Sequence, residues 1–63
     1  MTGKVKSYNP STRYGFITSH DVDYRFHNND WYLRLPPAKG MKVKFQQVES
    51  EKGMRATYIR SAT

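Results

Sequence analysis

Hydrophobic and polar residues alternate in short bursts along this chain, separated by clusters of turn-forming residues. In "GKVKSYN", Lys4, Lys6 and Tyr8 alternate with Val5 and Ser7, and the turn-rich Asn9-Pro10-Ser11-Thr12 follows, so the stretch reads as strand, then turn. "RYGFITS" is rich in aromatic and β-branched residues, and "DYRFH" alternates Tyr24 and Phe26 with Arg25 and His27. The short polar "SHDVD" between them makes the two a hairpin. "MKVKFQQV" is the cleanest alternation, with Met41, Val43 and Phe45 on one face and Lys42, Lys44 and Gln46 on the other. "ESEKG" then turns, and "MRATYIR" makes a last strand. One stretch breaks the pattern. "NNDWYLRLPPAKG" opens with helix-capping residues but is halted by Pro36-Pro37, which predicts a loop holding one helical turn.

Five short strands without a long helix predict an all-β fold, a small closed or nearly closed barrel, because a sheet this small must cover its own edges. Lys42 and Lys44 read as a solvated strand edge that discourages further pairing. No internal repeat, low-complexity segment or second domain interrupts residues 1–63, which form a single domain.

Parity makes "RYGFIT" the informative segment. Side chains alternate along a strand, so Tyr14 and Phe16 share one face while Gly15 and Ile17 share the other. Val5, Ile17, Met41, Val43 and Phe45 suffice to fill so small an interior, which turns both rings outward. Gly15 marks a strong bend or a close backbone approach. If Tyr24 and Phe26 face inward, Arg25 and His27 join Tyr14 and Phe16 on the outside. The competing assignment, with the two rings in the core and Ile17 exposed, leaves no such surface.

Composition narrows the chemistry. A chain of 63 residues buries only about 60% of its unfolded surface, which argues against a large enclosed active site. There is no cysteine, hence no disulfide framework, thiolate metal site or cysteine nucleophile, in keeping with a reducing, cytoplasmic setting. "MTGKVKSYNP" lacks the apolar region of a signal peptide, and no apolar run approaches the roughly 20 residues that cross a bilayer. Eleven Lys and Arg against five Asp and Glu leave a net charge of +6, which calls for an anionic partner or serves solubility. A membrane surface would be met by a basic amphipathic helix, and the pattern contains none.

Aromatic faces set among cations suit single-stranded nucleic acid, whose bases stack on rings while Lys and Arg track the phosphates. Arg25 can stack its guanidinium on a base, and His27 can stack or donate a hydrogen bond. His20, Asp21 and Asp23 lack a recognised ligand spacing, so no metal or cofactor is expected.

These segments resemble the cold-shock domain family. "GKVKSYNPSTRYGFIT" is similar to that family's G-K-V-K-W-F-N followed by K-G-F-G-F-I, and "DYRFH" to its D-V-F-V-H. "KGMKVKF" sits where the family has E-G-x-x-V-x-F, and "EKGMRATYI" resembles K-G-x-x-A-x-x-V, so the likeness runs in order from Gly3 to about Ile59. It implies a five-stranded antiparallel OB-type barrel that binds single-stranded RNA or DNA, often as an RNA chaperone. Carried over by position, Lys4, Lys6, Tyr8, Tyr14, Phe16 and His27 fall on binding positions. Ser7 stands where the family has a stacking Trp, Thr12 and Arg13 where it has Lys-Gly, Arg25 where it has an exposed Phe, and Asn28 where another aromatic is common. Arg13 and Arg25 are candidates to replace lost stacking by charge. Trp31 and Tyr32 are further candidates, or else a plug over one barrel end.

Three functions follow as expectations. The first is a non-catalytic, monomeric module for single-stranded nucleic acid, with a strand-swapped dimer as a variant form. The second is a protein-interaction barrel that has lost most nucleic-acid affinity. The third, a small nuclease, has only His27 as an acid–base group and no organised partner for it, so an enzyme is not expected.

Overall fold

Strands form where the alternation predicts them: β1 (Thr2–Asn9), β2 (Tyr14–Ser19), β3 (Val22–His27), β4 (Lys42–Ser50) and β5 (Gly53–Ser61). This computed structural model describes residues 1–51 and 53–62; Lys52, in the turn assigned to "ESEKG", lies outside the described residues. The strands close into an all-β barrel in the order β1-β2-β3-β5-β4, an OB-like arrangement. Four neighbouring pairs are antiparallel, and β3 meets β5 in parallel through Arg25 and Arg55. Closure corrects one expectation. β4 pairs with β1 on one side and β5 on the other, so Lys42 and Lys44 are exposed but do not line a free edge.

The interior is Val5, Ile17, Tyr24, Phe26, Val43, Phe45, Ala56 and Ile59, all buried. Met41 precedes β4 and is only half-buried, packed against this core from the rim. Two irregularities decide which side chains reach the interior. In β1 the pairing steps from Val5 opposite Ile17 to Ser7 opposite Phe16, leaving Lys6 as the extra residue of a bulge. Alternation is therefore reset after Lys6. Tyr8, expected on the outer face with Lys4 and Lys6, instead lies opposite Gly15 and packs half-buried against the core, while Ser7 turns outward. In β5 a second shift sits beside Tyr58, whose φ of 50° is the left-handed backbone a bulky residue seldom adopts. That kink lets Ala56 and Ile59, three apart, both face inward.

Three rings stack at one end of the core. Phe26 lies between Tyr8, at 6.1 Å and 12°, and Trp31, at 5.6 Å and 25°. Trp31 donates its indole N–H to the Leu35 carbonyl at 2.7 Å, which satisfies its polar edge and ties down the loop. The segment after β3 contains one 3-10 turn, Asn28–Asp30, opened by the Asn29 amide donating to His27 Nδ1 at 3.1 Å.

The β2–β3 hairpin turns on His20 and Asp21, both at positive φ (50° and 65°), as a two-residue type I′ turn demands. His and Asp tolerate that backbone better than most residues, but Asn-Gly adopts it more readily. Replacing His20-Asp21 by Asn-Gly is expected to stabilise the barrel by about 1 kcal/mol. For a domain this small, that corresponds to a rise of roughly 4–8 °C in a thermal melt.

Candidate functional site

The β1–β2–β3 sheet carries the outward rings. Ile17 is fully buried, and parity turns its neighbours out: Tyr14 is 44% and Phe16 41% exposed. Register sets two rows across the three strands, Asn9–Tyr14–His27 and Ser7–Phe16–Arg25. The second row continues to Arg55 through the β3–β5 pairing. Arg55 escaped the sequence reading, because only the parallel closure brings it beside Arg25.

Each ring has a distinct setting. Ser7 is small, so it leaves Phe16 open on the β1 side. Tyr14 has a cation and a ring beside it: the Arg25 guanidinium lies 5.5 Å from its ring centre, and His27 meets it edge-on at 4.7 Å. His27 accepts at Nδ1 from Asn29, so Nε2 is the nitrogen left for a ligand. Two shallow grooves flank Tyr14. One, of ≈ 410 Å³, is lined by Tyr14, Arg25, Ser50, Glu51 and Arg55. The other, of ≈ 400 Å³, is lined by Tyr14, His27, Asn29, Asp30 and Arg55.

Charge on the barrel wall is poorly neutralised. Lys4 lies directly opposite Lys42, Lys44 opposite Arg60, and Arg25 opposite Arg55. Like charges so placed repel, and an anion across each pair would relieve the repulsion. Among the described residues, two cations have acidic partners: Arg55 reaches Asp30 at 3.6 Å, and Lys6 reaches Asp23 at 2.8 Å. The hydrogen bond from Lys6, with its charge and a further bond from Thr18, holds the Asp23 carboxyl below the usual carboxylate range. Any stability this pair adds is present above the unfolded carboxyl's range and is lost as pH falls through the lowered value.

The remaining candidates divide between surface and interior. Arg13 is exposed at φ 64°, the left-handed position that closes the β1–β2 turn, where the resembling motif has glycine. Its backbone is tied on both sides, its amide to the Asn9 carbonyl and its carbonyl to the Asn28 amide, each at 2.8 Å. Lys4 is exposed on β1. Trp31 serves as the plug, stacked on Phe26, and Tyr8 backs the same stack from the other side, so neither belongs to the outer face. Tyr32 is exposed but faces Tyr58 and lies outside the two rows.

A small, closed, OB-like β-barrel with an aromatic and cationic wall is the class that this fold and surface define. No protein-family model matches the chain, and no curated protein matches it significantly.

Proposed function

We propose that this barrel binds single-stranded RNA or DNA without catalysis, as a divergent relative of the cold-shock domains it resembles, acting as an RNA chaperone or a regulator of expression. The observation that carries the reading is the exposed pair Tyr14 and Phe16, standing in register with Arg25 and Arg55 on a wall of opposed cations. Phe16 takes a base on its open face, and Tyr14 takes one beside the Arg25 guanidinium. Arg25 and Arg55 share a phosphate, which offsets their mutual repulsion. Lys4, Lys6 and Arg13 extend the electrostatic path, and His27 offers Nε2 to a base edge. Stacking of this kind accepts any base, so the preference among sequences is modest. The strand is unpaired because ring faces need bases that are not already stacked in a duplex.

Competition in fluorescence anisotropy tests this. Labelled homopolymers should bind, an unlabelled single strand should displace them, and a blunt duplex of equal length should compete at least tenfold less well. Equal competition by duplex would reduce the interaction to charge alone. No binding to any homopolymer would leave the face to a protein partner.

Asp23 acts here as an internal competitor for Lys6. Asp23→Asn frees the ammonium and removes a negative charge, so oligonucleotide affinity should rise about threefold at low salt. The same anisotropy assay reads this, and a loss of affinity would mean that the carboxylate itself contacts the ligand.

A further inference from the structure

Tyr32 and Tyr58 form a second aromatic surface that neither row of the β1–β2–β3 face uses. They are 63% and 56% exposed and stack on each other at 5.8 Å and 15°. An open groove of ≈ 230 Å³ is lined by these two rings and Arg60. Both rings are held by the barrel itself. Trp31 bridges to Ile59, and the Tyr32 amide donates to the Ile59 carbonyl at 2.9 Å, so successive side chains of the loop diverge: Trp31 inward onto Phe26, Tyr32 outward. Tyr58 turns out through its own left-handed φ, a strained backbone in a residue that contributes nothing to the core.

The chemistry of the groove selects its occupant. Two large π-faces sit beside Arg60, and Lys44 lies directly opposite Arg60 on β4. No carboxylate lines the groove among the described residues. A flat ring joined to an anion fits this combination, which is one nucleotide of a single strand. Geometry allows the strand to be the one already on the β2 face. Tyr58 lies three residues beyond Arg55, roughly 10 Å along β5 at strand rise. Ten nucleotides reach roughly 34 Å even at stacked spacing, more than the molecule's longest dimension of 29 Å.

We infer that Tyr32, Tyr58 and Arg60 form a second nucleotide-binding site, so that a long single strand engages the β2 face and the β5 face together. This rests on the single-strand reading of the β2 face and adds a length dependence to it. Tyr58→Gly is the suitable variant, because glycine accepts the left-handed backbone and removes the ring without endangering the fold. Affinities of wild type, Tyr58→Gly, Tyr32→Ala and Phe16→Ala are measured for three- and ten-nucleotide oligouridines, with sedimentation of each protein alone. The expected result is a five- to hundredfold loss for the ten-mer in Tyr58→Gly and Tyr32→Ala with the three-mer unchanged, whereas Phe16→Ala weakens both. Unchanged ten-mer binding in both tyrosine variants, with Phe16→Ala still weakening it, overturns the second site and leaves the β2 face standing. Failure of wild type to bind either length overturns both. A wild-type dimer that Tyr58→Gly dissociates overturns the second site in favour of contact between copies.

Discussion

Replacing Gly15 by alanine is expected to cost the barrel about 3 kcal/mol, the upper part of the usual range for overpacking a core. Gly15 is buried in β2, and a Cβ there would lie 2.7 Å from both the Ser7 carbonyl oxygen and the Phe26 ring. Neither neighbour can yield easily. The Ser7 carbonyl belongs to the β1 backbone just past its bulge, and Phe26 is clamped between Tyr8 and Trp31. Relief would require β1 to move off β2 or the three-ring stack to open. A chain of this length has roughly 3–9 kcal/mol of stability in total, so the substitution is expected to remove between about a third and all of it and to lower the unfolding midpoint clearly. Urea titration followed by Trp31 fluorescence measures it, since that indole packs on Phe26 and reports the affected stack. An unchanged midpoint would contradict the close approach.

Phe16→Ala is expected to do the opposite: keep the fold and lose the ligand. Phe16 is absent from the buried cluster, and its neighbours in register, Ser7 and Arg25, are polar and outward. Truncating it removes a stacking platform bordered by the small Ser7, which should weaken oligonucleotide binding by about 1–3 kcal/mol, or roughly five- to 150-fold. Tyr14→Ala should cost less, because Arg25 and His27 already cover part of that ring. Anisotropy titration with a labelled ten-mer, alongside a thermal melt, separates the two effects. Intact binding in a folded Phe16→Ala protein would remove this ring from the interface.

The contrast between these two adjacent residues was legible in the sequence, because Ile17 fixes the parity of "RYGFIT" and the Tyr24–Phe26 alternation supports it from the neighbouring strand. Arg25 and His27 followed from the same parity. Tyr8 and Ser7 were misplaced because one extra residue at Lys6 reverses every side chain after it, and alternation within a single strand carries no sign of which residue its partner skips. A sign did exist in β5: Ala56 and Ile59 are apolar at a spacing of three, which only an irregular strand can bury together, and Tyr58 is the residue that turns out between them. Arg55 had no local signal. Its place beside Arg25 depends on the parallel β3–β5 closure, a contact between residues thirty positions apart. Trp31 and Tyr32 divided between plug and surface because the loop continues to alternate across its bridge to Ile59.

On the proposal above, the aromatic wall and its incompletely neutralised cations bind a single strand through stacking and phosphate contacts together. The most direct test is the salt dependence of affinity for a ten-nucleotide single strand. Each phosphate neutralised contributes about −0.7 to the slope of log affinity against log salt, so the phosphate shared by Arg25 and Arg55 and one at each of Lys4 and Lys6 give a slope of about −2. Binding should persist, weakened, at high salt, where Phe16→Ala should lower what remains by the same roughly five- to 150-fold. A flat salt dependence, or no binding to a single strand at low salt, would contradict the claim.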